Sequence, residues 1–374
     1  MLAWAYAGFP ALVLLRGALR PRQYAAATHT PSVAIVVAAH NEAETIERKL
    51  DNLASLDYPR ERLEVIVASD GSTDGTEKAV RRCGAAGVRL LSLPRSGKAT
   101  ALNAAVAATS ADVVVFTDAN SMLQADAIRA LVRPLADPDV GGVAGDQRYT
   151  RDGETEGTAV GERDYWSFDR ALKRAQSASG SIVGATGALY AVRRELVAPI
   201  PDGVADDFYV SLAVVGRGAR LVFEPEAVAH EPVAPSATRE FRRRTRVLTR
   251  GLRCIFVMRR LLNPRRHGFF AIQLLSQKLL LRVSVVPLGA MTLTSIALVR
   301  QARIYRLAAA GQAVFFGLGL VGLAAPRSRL ARRRLVALPA YFCLVNAAQT
   351  AALWNLARGR TVDRWEPQRG KVGP

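Results

Sequence analysis

Between Val33 and Thr117 the chain alternates short β-branched runs with stretches of helical periodicity. This alternation restricts the fold more than any other feature. The four runs lie at 33–38, 63–68, 88–92 and 113–117, and their short, apolar character predicts buried strands. Between the first two runs, Ile46, Leu50 and Leu53 recur at helical spacing, which predicts a helix with one buried face. We therefore predict an α/β domain with a mixed, mainly parallel sheet and helices on both faces.

Polar side chains follow three of the four predicted strands. Asn41 and Glu42 follow the first strand, Asp70 follows the second and Asp118 follows the fourth. Because ligands of open α/β sheets bind beyond the carboxyl ends of the strands, we expect these groups to line one crevice. Asn41 with Glu44 also has the spacing of a capping box, so helix capping is an alternative explanation for part of the cluster.

The net charge of +19 at pH 7 is concentrated in arginine clusters beside apolar segments, at 242–253 and 327–334. Such positions indicate contact with membrane lipids at the cytoplasmic side, and no motif indicates a nucleic-acid partner. The three cysteines are far apart and lack CxxC spacing, which argues against a zinc site or a disulfide framework.

Apolar segments predict a multi-pass protein of the plasma (inner) membrane. The segment 1–15 predicts an anchor, and those at 283–299, 307–325 and 335–356 predict about three transmembrane helices. The stretch 268–281 mixes polar and apolar residues like a helix lying in the interface. Arginines that follow the anchor place the next domain in the cytosol. We expect an anchor over 1–22, a cytosolic domain over 30–255, and the interfacial helix, spans and short tail over 256–374.

Seven motifs then stand in a recognisable order. They read VAIVVAAHNE, VASDGSTDGT, GKATALNAA, VVVFTDAN, GATGALYAVRRE, ADDFYVSL and FRRRTRVLTRG. Over about residues 32–255 they resemble the family 2 glycosyltransferases, especially the membrane-bound branch of cellulose, hyaluronan and poly-N-acetylglucosamine synthases. The resemblance implies a GT-A-like fold and inverting, metal-dependent transfer from a nucleotide-sugar donor, expected to be a UDP-sugar. The acceptor would be a glycan or a lipid-linked molecule, in the synthesis of cell-envelope or extracellular polysaccharide.

The resemblance assigns the donor and metal residues. Asp118 takes the place of the first carboxylate of the family's DxD element, and Asn120 takes its third position. Mg²⁺ or Mn²⁺ prefers oxygen ligands, so Asp118 and Asn120 would bind the ion together with the donor diphosphate; alternatively, Asn120 caps a following helix. Glu42 and Asp70 would meet the base and ribose. Lys98 would meet the phosphates or pair with Asp118, unless it is an ordinary surface lysine.

Asp206 and Asp207 take the place of the family's acidic pair at a helix start. The resemblance makes Asp207 the general base that accepts the proton of the acceptor hydroxyl. Two adjacent carboxylates raise each other's pKa, which suits a base acting near neutral pH. As an alternative, two acids at a helix N-terminus simply favour the helix dipole.

A loop, a helix and a strand carry further candidates. Gly184, Thr186 and Gly187 are small enough to let an acceptor approach the backbone. Trp166 is a candidate for stacking on an acceptor sugar, with a core or membrane-interface position as the alternative. His230 is either a further metal ligand or a structural histidine.

Arg246 and Arg250 are expected to bind the donor diphosphate. Polymer synthases of this branch typically carry Q-x-x-R-W in this segment, whereas this chain has Arg243, Arg246 and Val247 at the matching places. Processive chain growth therefore does not follow from the resemblance.

Three rival functions remain at this point. A nucleotidyltransferase shares strand-end carboxylates and a metal but needs no base such as Asp207. A non-catalytic polysaccharide or lipid export partner would retain only the nucleotide-binding shell, and a retaining glycosyltransferase would differ in the stereochemistry of its product. The spans are few for an export channel within one chain, which is compatible with a homo-oligomer.

Overall fold

The computed structural model describes residues 1–84, 87–150, 158–232, 237–326 and 328–360, and side chains are not described for 150, 158–167, 237 and 239. Arg327 and the predicted tail beyond residue 360 lie outside the described residues. Contacts divide the chain into two compact units. The sheet unit comprises Arg16–Thr150 and Lys173–Pro232, and the helical unit comprises Met1–Leu15, Arg151–Leu172 and Val233–Val362.

The described α-helices, in chain order, are α1 (Phe9–Leu19), α2 (Ala43–Ala54), α3 (Thr76–Cys83), α4 (Lys98–Ala107), α5 (Ala127–Val132), α6 (Thr158–Ala178), α7 (Asp206–Gly216), α8 (Ala237–Val257), α9 (Pro264–Gln273), α10 (Val285–Ala297), α11 (Arg303–Ala324) and α12 (Arg334–Ala357). The described strands are β1 (Val33–Ala39), β2 (Leu63–Asp70), β3 (Val88–Leu93), β4 (Val113–Phe116), β5 (Met122–Leu123), β6 (Val140–Thr150), β7 (Tyr190–Arg193) and β8 (Arg220–Pro232). The four strands predicted from the sequence correspond to β1 to β4.

The strands form one sheet in the order β3-β2-β1-β4-β7-β6-β8-β5. The first four are parallel to one another, as predicted. β7 is antiparallel to both of its neighbours, β6 and β8 are parallel, and β5 is antiparallel to β8. The sheet is therefore mixed and mainly parallel, and the carboxyl ends of β1, β2 and β4 lie along one edge.

Helices cover both faces of this sheet. Ile35 and Val37 of β1 belong to one buried cluster with Ile46 and Leu50 of α2. Successive side chains of a strand point to opposite faces, so Val36 is buried on the other face, where α4 packs. Each aliphatic side chain buried in this way contributes about 1.5–3 kcal/mol. Burial on both faces explains why the strand sequences are continuously apolar instead of alternating.

The helical unit contains two helices, α11 and α12, that are long and apolar enough to cross a membrane. They include most of the predicted spans at 307–325 and 335–356. The helical segment Pro264–Leu280, which includes the predicted interfacial stretch, joins α10 at a bend of 55°, and this bent pair is a candidate for a third span. The backbone of Gly268 has a φ of +52° inside this segment, which marks a kink.

Close packing and polar contacts hold the helical unit together. A Cβ on Gly322 of α11 would lie 2.7 Å from the Cβ of Ala340 on α12, so the glycine lets the two helices approach. Near the N-terminus, the Tyr6 hydroxyl lies 3.3 Å from Ser284 Oγ, and Ser284 Oγ lies 3.2 Å from Gln349 Oε1. The N-terminal segment thus packs against the C-terminal helices of its own unit.

Candidate active site

Asp70, at the end of β2, is fully buried and holds the loop that precedes α4. Its Oδ1 accepts hydrogen bonds from the backbone N–H groups of Ser96 at 2.7 Å and Gly97 at 2.9 Å. Its Oδ2 lies 3.3 Å from Arg95 Nη1. A Cβ on Gly71 would lie 2.7 Å from the Arg95 nitrogen, so only glycine permits this approach. The loop that delivers Lys98 is therefore fixed by Asp70, and a contact between Asp70 and ribose stays a prediction.

Glu42 is half-buried and forms the N-terminal boundary of α2. Its Oε2 accepts a hydrogen bond from Thr45 Oγ1 at 2.6 Å, and its backbone N–H donates to Thr76 Oγ1 at 2.8 Å. The expected capping box of Asn41 with Glu44 is not formed. Asn41 instead has a φ of +55°, and its Oδ1 accepts from the backbone N–H of Thr73 at 2.7 Å. The loops after β1 and β2 are thereby joined beside Glu42.

Lys98 lies at the first residue of α4 and connects two acidic segments. Its Nζ lies 2.7 Å from Asp118 Oδ1 and 3.0 Å from Asp206 Oδ2. The Lys98 side chain is 14% exposed, so it is not an ordinary surface lysine. Burial lowers the pKa of Lys98, but the two carboxylates raise it by more, and the net shift is upward. The predicted pairing of Lys98 with Asp118 is present, and Asp206 is a second partner.

Asp206 and Asp207 occupy the first two positions of α7, as the sequence predicts. Burial raises the pKa of Asp207 to about 6, and the neighbouring carboxylate of Asp206 adds to the effect while Lys98 opposes it. Asp207 Oδ1 accepts a hydrogen bond from the Phe208 backbone N–H at 2.7 Å. The site therefore combines a carboxylate of raised pKa with a permanently charged ammonium.

The GATG loop lies beside these acids. A Cβ on Gly187 would lie 2.8 Å from Asp118 Oδ2, and a Cβ on Gly184 would lie 3.0 Å from the Phe208 ring. The loop is tied to α7 through Ser211, whose hydroxyl accepts from the Ala185 backbone N–H at 2.9 Å. The small residues of the loop are therefore required by close contact with Asp118 and α7.

Thr186, in the same loop, carries a buried hydroxyl without a partner. Its Oγ1 makes no hydrogen bond to any described residue. A buried hydroxyl left unpaired costs about 1–3 kcal/mol, so such a group is typical of a site that receives a ligand or a bound water.

Asn120 follows Asp118 by two residues and is half-buried. It does not cap a helix, because β5 follows directly and α5 begins only at Ala127. The alternative capping role is therefore excluded. Within the described ranges, no three His, Cys, Asp or Glu side chains are grouped to hold a metal ion without help. Asp118 and Asn120 would need further ligands such as the oxygens of a diphosphate.

The remaining candidates lie on β8, α6 and α8. His230 lies on β8, opposite Met122 of β5 in the sheet. Trp166 is on α6, and its side chain lies outside the described residues. Arg246 and Arg250 lie on α8, in the helical unit, and their contact with a diphosphate stays a prediction.

Sequence reasoning missed two buried groups beside this site. Lys49 of α2 is fully buried, and burial lowers its pKa to about 7. Tyr190 of β7 stacks on Phe116 with ring centroids 4.8 Å apart, and its hydroxyl has no hydrogen-bond partner among the described residues. The sequence did hold a signal for Lys49, because its position falls on the apolar face of α2. Nothing local distinguished Tyr190 from an ordinary core aromatic.

Comparisons with known proteins agree with this architecture. Residues 34–200 match the model of glycosyl transferase family 2. The chain is 27% identical over 266 residues to an N-acetylglucosaminyltransferase of Bradyrhizobium diazoefficiens, covering 67% of this chain and 54% of the relative. It is 28% identical over 203 residues to the poly-beta-1,6-N-acetyl-D-glucosamine synthase of Staphylococcus aureus strain COL, covering 52% of this chain and 48% of that relative. The chain spans about half the length of these two relatives.

A solved structure is similar over nearly the whole chain. It is the mannosyltransferase PcManGT from Pyrobaculum calidifontis in complex with GDP-Man and Mn²⁺, with 28% identity and a TM-score of 0.71. The alignment covers 95% of this chain and 96% of that one. The fold is GT-A-like, with a mixed sheet and apolar C-terminal helices. The family match and this likeness give the chain a glycosyl transferase family 2 domain over residues 34–200, and its relatives include a poly-N-acetylglucosamine synthase.

Proposed function

We propose that this chain transfers a sugar, with inversion of the anomeric carbon, from a nucleoside diphosphate sugar to a glycan or lipid-linked acceptor at the membrane. One observation carries the proposal. Asp118, beyond β4, and Asp206, at the start of α7, both contact the ammonium of Lys98 at the start of α4. Asp207, next to Asp206, has the raised pKa expected of a general base.

Asp118 and Asn120 are the proposed ligands of a divalent cation, Mg²⁺ or Mn²⁺. The ammonium of Lys98 already lies between two carboxylates, so this part of the site accepts positive charge. Carboxylate and amide oxygens are the donors that these hard cations prefer. When bound, the ion neutralises the negative charge that develops on the departing diphosphate. The Mn²⁺ complex of the similar mannosyltransferase supports this assignment.

Asp207 is the proposed general base. Its carboxylate takes the proton of the acceptor hydroxyl while that oxygen attacks the anomeric carbon from the face opposite the diphosphate. The bond between the anomeric carbon and the diphosphate oxygen breaks, and the diphosphate departs with the bonding electron pair. Lys98, Arg246 and Arg250 are the proposed contacts of that negative charge.

The acceptor is proposed to lie along the GATG loop. Gly187 leaves no side chain between the backbone and Asp118, Gly184 lies against the Phe208 ring, and the buried hydroxyl of Thr186 is available to bind an acceptor hydroxyl. Trp166 is a proposed stacking surface for an acceptor sugar. At the other end of the site, Glu42 and Asp70 are the proposed contacts of the base and ribose.

The proposed location is the cytosolic side of the plasma (inner) membrane. The apolar helices α11 and α12 support a membrane location, as do the arginines beside the apolar segments. Lipids would contact these helices, and export of a polymer would call for self-association of the chain. The poly-N-acetylglucosamine synthase supports a role in polysaccharide synthesis, and we propose a cell-envelope or extracellular product as the biological setting.

The experiment that tests the proposal is a donor screen with the full chain purified in detergent. UDP-N-acetylglucosamine and GDP-mannose are the first donors, because one relative is a poly-N-acetylglucosamine synthase, UDP is the nucleotide that the family resemblance leads us to expect, and the similar structure holds GDP-Man. We expect release of nucleoside diphosphate with one donor in the presence of Mn²⁺, and loss of that release with EDTA or in Asp118→Ala. Release that persists in both controls would contradict the metal site, and an absence of release with any UDP- or GDP-sugar would favour a non-catalytic export partner.

A further inference from the structure

Lys49 is fully buried on the face of α2 that packs beneath the segment carrying Asp118. Its Nζ donates to Thr117 Oγ1 at 3.0 Å and to the backbone carbonyl of Ser121. These two acceptors stand immediately before Asp118 and immediately after Asn120. The single ammonium of Lys49 therefore holds both ends of the five-residue segment from Thr117 to Ser121, which contains Asp118 and Asn120.

The contacts continue beyond Lys49. Thr117 Oγ1 donates in turn to the carbonyl of Ala188 at 2.7 Å, which connects the segment to the residue that follows the GATG loop. Ser121 Oγ donates to Glu231, a buried carboxylate on β8. One turn further along α2, Asn52 exchanges two hydrogen bonds of 2.8 Å with the backbone of Leu123. The face of α2 thus clamps residues 117–123 by side-chain contacts at both ends.

A buried ammonium is costly unless its charge and protons are compensated. In the described residues, no carboxylate lies within ion-pair distance of Lys49. The protons of its ammonium are bound by two neutral acceptors, and its charge is stabilised at longer range by Asp118 and Glu231. Packing of α2 alone would be served better by an apolar residue, such as those at Ile46, Leu50 and Leu53. A lysine at this buried position therefore indicates a function in the segment that it contacts, Thr117 to Ser121.

We propose that Lys49 is a positioning residue for the metal-binding segment, and that it orients Asp118 and Asn120 through Thr117 and Ser121. The proposal rests on the proposed function, because it concerns the same metal and donor site. Groups that orient metal ligands typically change metal affinity by roughly 10- to 100-fold when they are removed. Lys49 touches neither the donor nor the metal, so its effect on the reaction would pass entirely through the loop.

The sign of the effect separates positioning from simple electrostatics. Removing a positive charge near a metal site strengthens cation binding when charge repulsion is the only interaction. Removing two hydrogen bonds that fix the ligand segment weakens cation binding. Lys49→Met keeps the length and burial of the side chain but deletes both the charge and the donors, so the two explanations predict opposite changes.

The test measures Mn²⁺ binding by the full chain in detergent, in the presence of UDP or GDP, from the EPR signal of free Mn²⁺. We expect Lys49→Met to weaken binding roughly tenfold or more. Thr117→Val, which removes the acceptor of the same contact, should weaken Mn²⁺ binding similarly. The double variant should bind Mn²⁺ no more weakly than the weaker-binding single variant, because both substitutions remove the same contact. Ile46→Val, a buried change on the same helix, is the matched control and should bind like the wild type.

Unchanged or tighter Mn²⁺ binding by Lys49→Met would overturn the positioning role, provided that the wild type binds. If Lys49→Met does not fold, Thr117→Val decides the matter alone, and normal binding by that variant rejects the role. A wild type that binds neither Mn²⁺ with UDP nor Mn²⁺ with GDP would instead overturn the proposed function, and this inference with it.

Discussion

Lys98 determines the charge balance among the residues that we propose for catalysis. Its ammonium contacts Asp118 and Asp206, and its charge opposes the rise in the pKa of Asp207. Without Lys98, the three neighbouring carboxylates of Asp118, Asp206 and Asp207 would repel one another. The lysine thus stabilises the acids while it keeps the base deprotonated at neutral pH.

The pH dependence of transfer follows from this arrangement. Because the base acts in its deprotonated form, kcat/KM should fall as the pH decreases through about 6, the raised pKa of Asp207. In Lys98→Met the opposing charge is lost, so the acidic limb should move to higher pH, whatever happens to the maximal rate. A pH–rate profile of both proteins checks the position of the limb, and a limb that moves to lower pH would contradict the assignment.

A stability change should accompany the loss of the Asp207 charge. The folded-state pKa of Asp207 is raised from 3.8 to about 6, so its ionised form destabilises the native state above that range. Asp207→Asn should therefore raise Tm at pH 7.5, and the gain should disappear as the pH falls from 6 to 4. Thermal unfolding at several pH values measures this, with Asp57→Asn, at an exposed ion pair, as the control without such a gain. A gain independent of pH would show that the charge is not its cause.

The site depends on how closely the GATG loop approaches the end of β4. A Cβ on Gly187 would enter within 2.8 Å of Asp118 Oδ2. Both loops are braced, by Thr117 on one side and Ser211 on the other, so neither can move away freely. Small residues here are a requirement of the site's geometry.

Gly187→Ala should therefore impair metal-dependent donor binding while the fold persists. The added methyl group displaces the Asp118 carboxylate, and we expect a loss of roughly tenfold or more in Mn²⁺ affinity measured with the nucleoside diphosphate. Gly289→Ala, where the new Cβ meets no atom within 4 Å, is the matched control and should bind normally. Equal affinities for the two variants would show that Asp118 is not constrained by the loop.

The elements also show what the sequence can and cannot predict. Strands β1 to β4 and the start of α7 were predictable, because buried apolar runs and an acidic pair are local signals. The alternative in which Asn41 caps α2 was wrong, since Glu42 is the N-cap and the Asn41 carboxamide bonds to the loop that follows β2. The contacts of Lys49 and Asp70 were equally invisible, because both depend on which loops the sheet order brings together.

The chain combines a sheet unit that carries most of the proposed site residues with a helical unit that contains two helices long and apolar enough to cross a membrane. Composition predicted a cytosolic domain over 30–255 and an apolar end over 256–374, and these bounds stay a prediction, since contacts place α8 in the helical unit. The resemblance to family 2 glycosyltransferases was confirmed by the family match and by the similar solved structure. The donor, the acceptor and the number of transfers depend on contacts that no motif encodes.

A membrane location predicts that the full chain resists extraction from membranes. With α11 and α12 inserted, the protein should stay in the membrane pellet through an alkaline carbonate wash, because burial of two apolar helices in lipid does not depend on charge. Immunoblots of pellet and supernatant, with a peripheral membrane protein as the control that is released, measure this. Release of the chain by carbonate would contradict membrane insertion.

The most direct test of the proposed mechanism compares the rate of sugar transfer with the binding of the donor in Asp207→Asn. The substitution removes the proposed base but leaves Asp118, Asn120 and Lys98 in place. We predict that the rate of sugar transfer falls roughly 10²- to 10⁴-fold while Mn²⁺-dependent binding of the donor persists. Transfer at the wild-type rate by Asp207→Asn would contradict the mechanism.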